Sequence, residues 1–132
     1  MVFYTTILAS SSFVKRFTNQ CDIAACDEAG CATEAEVLII WKGKPLILAG
    51  DPEQLPPPVF TDGVKDSNGM PVNAFTQQPS KPLMRRLLEL NWPYIELNEQ
   101  KRVPPGQFHL PNFVIYNNIT TAPGITIDDV RF

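Results

Sequence analysis

Short apolar runs, separated by polar segments, follow one another along the first half of the chain. One run covers residues 2–8 and is rich in β-branched and aromatic side chains, a second covers 23–26, and a third covers 45–50 and ends on a glycine. Continuous apolar runs of this length are typical of strands that are buried on both faces of a sheet. The pattern therefore predicts three interior strands.

A helix is indicated between the second and third runs. Thr33 is followed three residues later by Glu36, which is the spacing of a capping box at a helix N-terminus, and apolar positions continue to Trp41 before Gly43. A strand, a helix and a strand in this order are typical of a crossover between parallel strands. The first half of the chain therefore predicts an α/β fold with a parallel sheet.

The second half of the chain carries weaker signals. Residues 51–82 show little periodicity and are punctuated by glycines and prolines, which predicts a long surface loop. Leucines on one face of 83–90 predict a short amphipathic helix. The pattern further indicates a strand at 94–97, a helix at 110–116 and a last strand within 120–132.

The composition suits a soluble globular chain, with 132 residues, 44% hydrophobic and 19% charged, and a net charge of −3. A negative balance gives no general attraction to nucleic acid or to anionic membranes, so any site for a polyanion must be local. No apolar run approaches the roughly 20 residues of a membrane span, and the apolar start lacks the basic residues of a signal peptide. We therefore expect an intracellular protein, cytoplasmic or nuclear, with no membrane partner.

The cysteines indicate neither a metal site nor a disulfide framework. Cys21, Cys26 and Cys31 are spaced by five, which is not the spacing of a zinc-binding pair, and His109 is the single histidine. Free thiols in a reducing compartment are the expected state.

Candidate chemistry begins at the end of the second predicted strand, where Asp27 and Glu28 follow the apolar run directly. In an open α/β sheet, ligands bind in the crevice beyond the carboxyl ends of the strands. Two carboxylates there can divide the work, one holding a hydrated Mg²⁺ and the other orienting and deprotonating an attacking water. The same pair can equally serve only to cap the next helix.

The third predicted strand ends in Gly50, Asp51, Pro52, Glu53 and Gln54, followed by a proline-rich exit. We expect Gln54 to lie over the same crevice as the acidic pair. A neutral amide can hydrogen-bond both a phosphate oxygen and a water without adding charge, which suits a sensor of a terminal phosphate. The alternative is a turn whose prolines simply lead the chain away from the sheet.

These residues resemble the motifs of superfamily 1 helicases of the nonsense-mediated decay factor and senataxin type. Residues 27–34 resemble the Walker B motif of that family, and 46–57 resemble its third motif. Residues 97–102 occupy the place of its glutamine-tyrosine-arginine motif, and 112–116 resemble the segment that follows. The order and spacing agree from about residue 2 to residue 116.

The resemblance implies a role for each matching residue. Asp27 would coordinate Mg²⁺, Glu28 would be the catalytic base for ATP hydrolysis, and Gln54 would contact the γ-phosphate. Arg102 would be the arginine finger, which stabilises charge on the transferring phosphoryl group, and Gln100 would lie among the ATP-contacting residues. Single-stranded RNA or DNA is the partner that the resemblance implies, and either Thr5 or Thr6 falls near the nucleic-acid-contacting segment.

The sequence also departs from the family pattern. Lys101 stands where the family usually has a tyrosine, so a base-stacking ring is missing there, and residues 103–105 replace the usual methionine, histidine and proline. No G-x-x-x-x-G-K-[ST] is present, and this motif supplies the backbone cradle and the lysine that hold the β- and γ-phosphates. Tight binding of ATP and Mg²⁺ would need that missing loop, so we expect the isolated chain to be inactive.

The predicted fold is therefore a partial RecA-like P-loop NTPase sheet of parallel strands with crossover helices. We assign 1–96 to the later part of a first RecA-like domain and 97–132 to the beginning of a second, because 132 residues cannot supply two complete domains. Activity would then need the remainder of a helicase chain or a partner protein. The alternative hypothesis is a non-catalytic remnant or interaction module that keeps part of the fold.

Overall fold

The chain forms two compact units in the computed structural model, Met1–Trp92 and Pro93–Phe132. Residues 3, 5–104, 106–116 and 119–121 are described. Within these ranges no helix is long and apolar enough to cross a membrane. The assignment of 1–96 and 97–132 to two helicase domains stays a prediction.

Helices and two short strands alternate in the first unit. In chain order they are a 3-10 helix Thr6–Ser10, α1 Ser12–Thr18, β1 Ala24–Cys26, α2 Glu34–Trp41, β2 Leu46–Leu48 and α3 Leu83–Glu89. The second unit contains β3 Glu99–Gln100, α4 His109–Pro111, a π-helical segment Asn112–Tyr116 and β4 Thr120–Thr121.

The predicted strand, helix and strand are confirmed around β1 and β2. The two strands pair in parallel, with Ala24 opposite Leu46 and Cys26 opposite Leu48, and α2 connects them. A parallel pair needs such a crossover, because the chain must return to the same edge before the second strand begins. The β1–α2–β2 unit is therefore the part of the fold that positions the residues following each strand.

The capping box that the sequence predicts is present at the start of α2. The backbone N–H of Glu36 donates to the Thr33 hydroxyl at 3.3 Å, and the backbone N–H of Thr33 donates to the Glu36 carboxylate at 2.8 Å. Two backbone donors that helix formation leaves without partners are thereby satisfied. The helix ends at Lys42 and Gly43, which both have positive φ, as is common at helix C-termini.

The core of the first unit joins the loop after β1 to α2 and α3. Val37 on α2 and Ala29 in the loop are fully buried. The other buried members of the core cluster are Ala9, Cys26, Ala32, Ile40 and Leu83. Because the loop after β1 contributes to this core, its backbone is fixed by packing.

The predicted strand at 2–8 is wrong for the residues described there, while residues 2 and 4 lie outside the described ranges. Thr6–Ser10 is a 3-10 helix, and its Ala9 is buried in the core. A strand needs a partner to pair its backbone groups, whereas this segment satisfies them locally, with the Leu8 N–H donating to the Thr5 carbonyl at 3.0 Å. Helix α1, capped by the Ser11 hydroxyl, was not predicted from the sequence.

The outcomes in the rest of the chain are mixed. Residues 51–82 hold no helix or strand beyond an isolated bridge between Lys65 and Pro71, which confirms the long loop, and α3 confirms the helix after it. The strand predicted at 94–97 is wrong, because these exposed residues have no ladder partner and the strand forms instead at Glu99–Gln100, in parallel with β4. The helix at 110–116 is confirmed in its helical character, and 122–132 lies outside the described residues.

Candidate functional site

The loops that follow β1 and β2 leave the sheet at the same edge, because the two strands are parallel. Their pairing continues beyond the strands. The Ala49 N–H donates to the Cys26 carbonyl at 2.9 Å, and the Ala29 N–H donates to the Ala49 carbonyl at 2.8 Å. The two loops predicted to carry the chemistry are therefore neighbours along their backbones.

Two glycines allow these loops to pack backbone against backbone. A Cβ atom added at Gly30 would lie 2.3 Å from the Asp51 carbonyl oxygen, and one added at Gly50 would lie 2.8 Å from the Ala29 nitrogen. Real Cβ atoms essentially never approach other heavy atoms this closely. No other residue fits either position without moving one of the loops. This contact was not predicted from the sequence, although a glycine in each of the two motif loops was a signal for it.

Asp27 and Glu28 lie at the exposed start of the first loop. The Glu28 N–H donates to Asp27 Oδ1 at 3.0 Å, and the Glu28 carbonyl accepts from the Cys31 N–H at 2.9 Å. Glu28 has φ = +53°, a left-handed conformation that costs a residue with a side chain roughly 1–2 kcal/mol. Strained backbone of this kind persists only where the surroundings force it. A Cβ added at Gly50 would lie 3.3 Å from the Glu28 carbonyl carbon, so the second loop passes close to this residue.

The second loop forms a tight turn around Asp51. Its Oδ1 accepts from the Glu53 N–H at 2.9 Å, and its Oδ2 accepts from the Gln54 side-chain amide at 3.3 Å. An ionised carboxylate can only accept hydrogen bonds, so the amide nitrogen of Gln54 must be the atom that faces Asp51. The Gln54 side chain is thereby oriented, with its carbonyl oxygen directed away from the carboxylate.

Gln54 also borders an open cleft of about 290 Å³ between this turn and α3. Its polar and charged lining is completed by Gln77, Ser80, Lys81, Arg85 and Glu89, and its remaining lining by Gly30, Pro52, Pro56 and Pro82. Asp27 and Glu28 are not part of this lining. The structure thus brings the two loops together, and it places Gln54 on the side of α3. The position of α3 beside the site was not predicted from the sequence.

The Cys26 thiol, at the end of β1, has a pKa that is shifted by its surroundings. The thiol is buried, and burial raises its pKa, with the negative charges of Asp27 and Glu36 acting in the same direction. Cys31 is exposed, and its thiol donates to the Leu55 carbonyl at 3.1 Å. This contact ties the first loop to the exit of the second.

The two threonines that the sequence left open differ in their surroundings. The Thr6 hydroxyl donates to Glu36 Oε1 at 3.4 Å, and its side chain is half-buried. Thr5 is exposed and precedes the 3-10 helix without capping it through its side chain. A nucleic-acid contact from either residue stays a prediction.

Gln100 and Arg102 belong to the second unit. Gln100 donates from Nε2 to the Val103 carbonyl and to the Thr121 hydroxyl, both at 2.7 Å, and its Oε1 accepts from the N–H groups of Arg102 and Val103, both at 2.9 Å. Gln100 therefore holds the turn that carries Arg102, whose side chain is exposed. Their roles toward ATP stay predictions.

The residues present fit Mg²⁺ better than they fit the phosphates of ATP. Mg²⁺ is commonly held by one or two carboxylates, water and substrate phosphates, and Oδ2 of the exposed Asp27 accepts no hydrogen bond from the described residues. In the described ranges, no group of three or more His, Cys, Asp or Glu side chains could hold a metal ion by itself. The sequence contains no glycine-rich loop with a lysine of the kind that binds nucleotide phosphates.

Two comparisons with known proteins found a match. A family model described as AAA domain matches residues 1–62. An uncharacterized ATP-dependent helicase of Methanocaldococcus jannaschii is 31% identical over 116 residues, which cover 86% of this chain. The chain spans 15% of the length of that relative. No solved structure matches.

These matches support a helicase-like P-loop NTPase family for the chain. Small parallel sheets with helices between and beside the strands are compatible with part of such a fold. The matched residues 1–62 contain β1, α2, β2 and both loops of the candidate site.

Proposed function

We propose that the chain is a segment of an ATP-dependent superfamily 1 helicase of the nonsense-mediated decay factor and senataxin type, built on RecA-like domains. The observation that carries the proposal is the backbone contact between the Asp27–Glu28 loop and the Asp51–Gln54 loop at the carboxyl ends of parallel strands. Ligands of open α/β sheets bind at this edge. The helicase relative supports the same assignment.

Each residue at the site would act on the phosphates or on the attacking water. Asp27 would hold Mg²⁺ through its exposed carboxylate, and Glu28 would orient the attacking water and accept its proton. Gln54 would sense the terminal phosphate through its oriented amide. Mg²⁺, when bound, would supply neutralising charge to the phosphate oxygens.

The resemblance suggests further roles for Arg102 and for Thr5 or Thr6. Arg102 would be the arginine finger, on a turn held by Gln100, and Thr5 or Thr6 would contact single-stranded RNA or DNA. Because the chain has no phosphate-binding loop, the remaining parts of a helicase would have to supply the nucleotide's anchor. We therefore expect the isolated chain to hydrolyse no ATP, with or without single-stranded nucleic acid.

A chimera provides the direct test. The 116 aligned residues of the Methanocaldococcus jannaschii helicase would be replaced by the matching residues of this chain, and ATP hydrolysis would be measured with single-stranded RNA and DNA. Glu28→Gln should lower kcat by about 10²–10⁴, the usual contribution of a general base, while ATP binding persists. Asp22→Asn is the matched control, because this exposed carboxylate lies before the amino end of β1, away from the loops.

The outcomes separate the proposal from its alternative. If Glu28→Gln and Gln54→Ala both reduce hydrolysis and Asp22→Asn does not, the helicase assignment holds. A folded chimera that binds single-stranded nucleic acid and ATP but hydrolyses nothing would contradict it. That result would favour a non-catalytic remnant that keeps part of the NTPase fold.

A further inference from the structure

Glu53 precedes Gln54 in the turn, and its carboxylate forms an ion pair with Arg85 on α3. Its carboxylate Oε1 accepts from Arg85 Nη1 at 3.1 Å, across 32 residues of sequence. Its backbone N–H donates to Asp51 Oδ1, and Asp51 Oδ2 accepts from the Gln54 amide. A continuous series of contacts therefore runs from Arg85 through Glu53 and Asp51 to the Gln54 side chain.

Helix α3, which carries Arg85, is anchored to the rest of the first unit. Leu83 is buried in the core of the first unit, and Met84 and Leu87 pack against that core. Arg86 forms an ion pair with Glu34 in the first turn of α2. Since α3 contacts both the core and α2, the position from which the Arg85 side chain reaches the turn is fixed.

We propose that Arg85 is a positioning residue for Gln54, acting through Glu53 and the Asp51 turn. The inference rests on the proposed function of Gln54 as the phosphate sensor and specifies how its side chain is oriented. The Arg85 and Glu53 side chains are 44% and 46% exposed, and ion pairs at such positions contribute little to the stability of a whole domain. We therefore expect loss of this pair to change the local geometry of the turn and to leave the urea midpoint of the first unit unchanged.

The orientation has a chemical result. With its amide nitrogen held by Asp51, Gln54 keeps its carbonyl oxygen available as an acceptor for a water, and one N–H available as a donor to a phosphate oxygen. If Arg85 releases Glu53, the turn can relax and both groups lose their fixed direction. A sensor that must distinguish the presence of a terminal phosphate depends on this pre-orientation.

The side-chain amide of Gln54 can be followed by ¹H–¹⁵N NMR on the 132-residue chain without nucleotide, with its signals identified by their absence in Gln54→Glu. We expect Arg85→Ala to move these signals part of the way, up to about half, toward their positions in urea, as fits a weak exposed ion pair. Arg85→Lys should retain most of the wild-type position, and the exchange Glu53→Arg with Arg85→Glu should restore it. High salt should reproduce part of the Arg85→Ala shift, because exposed charges are screened.

Lys81→Ala is the matched control. It removes an exposed ion pair with Glu89 at 2.6 Å beside the same cleft, and this pair involves no residue of the turn. We expect this variant to leave the Gln54 signals in place, and both variants to keep the wild-type urea midpoint. Unchanged Gln54 signals in Arg85→Ala, or an equal shift in Lys81→Ala, would overturn the positioning role.

The NMR measurement also separates this inference from the proposed function. It uses no ATP, so an inactive chimera together with a shifted Gln54 amide would refute the helicase activity and leave the positioning role intact. An active chimera with unshifted Gln54 signals would refute the positioning role and leave the helicase activity intact.

Discussion

Gly30→Ala tests the contact on which the site geometry depends. The added Cβ would lie 2.3 Å from the Asp51 carbonyl oxygen, while ordinary contact begins at 3.4 Å, so the loops must separate by about 1 Å. Overpacking of this kind typically costs about 1–3 kcal/mol. The hydrogen bond from Ala29 to Ala49, now 2.8 Å long, would be stretched or lost, at about 0.5–1.5 kcal/mol. We expect a total destabilisation of roughly 2–4 kcal/mol.

Urea unfolding monitored by tryptophan fluorescence measures the decrease in the free energy of unfolding of the first unit. Both tryptophans, Trp41 and Trp92, lie in the unit Met1–Trp92, so the signal reports on the unit that contains the two loops. The midpoint should fall while the denaturant dependence stays the same, which is the signature of a change in stability alone. Gly50→Ala, with its nearest backbone contact at 2.8 Å, should fall in the same direction.

Gly63→Ala is the control that separates steric cost from backbone strain. Gly63 has φ = +69° and nothing within 4 Å of an added Cβ, so its replacement introduces left-handed strain of roughly 1–2 kcal/mol without a clash. Gly30 has no such φ, and its cost is steric. If Gly30→Ala destabilises the unit no more than about 0.5 kcal/mol, a typical surface effect, the loops do not pack as described and the site loses its geometric basis.

Three further predictions concern the ends of α2 and β1. Thr33→Ala should destabilise the first unit by about 1 kcal/mol through loss of the capping box, and Thr33→Ser should not, as measured by the same urea titration. Iodoacetamide should alkylate the exposed Cys31 well before the buried Cys26, and equal rates by mass spectrometry would contradict the burial of the Cys26 thiol. Because the pKa of Cys26 is raised in the folded chain, its contribution to stability is present below the ordinary thiol pKa of about 8.5 and is lost as the pH rises above it. The free energy of unfolding should therefore decline in alkaline solution, and less so in Cys26→Ala.

The features that were predicted correctly from the sequence are those that depend on residues close together in the chain. The capping box at Thr33 and Glu36 is a local signal, and two apolar runs joined by a helix are typical of parallel strands. The run at 2–8 has the composition of a strand, but its described residues have no ladder partner in the described ranges, and residues 6–8 belong to the 3-10 helix Thr6–Ser10. Composition cannot distinguish these outcomes, because pairing depends on distant segments.

The candidate site was predictable to the level of its loops and not of its side chains. Parallel strands explain why the residues after β1 and β2 meet, and that argument needs only the order of elements. The ion pair between Glu53 and Arg85 joins residues 32 positions apart across an irregular loop. No periodicity connects them, so only the folded arrangement shows that α3 takes part.

The backbone of Glu28 links stability to the proposed chemistry. It has a left-handed conformation, at φ = +53°. Glu28→Gly should therefore stabilise the first unit by about 1 kcal/mol, since glycine adopts this conformation without a Cβ penalty, while removing the proposed base. Glu28→Ala removes the carboxylate and keeps the strain, so it should leave stability close to wild type. If urea unfolding ranks the two variants equally, the strain is not stored at Glu28. If glycine stabilises and alanine does not, the chain keeps a carboxylate there at a cost in stability, as expected for a residue retained for function.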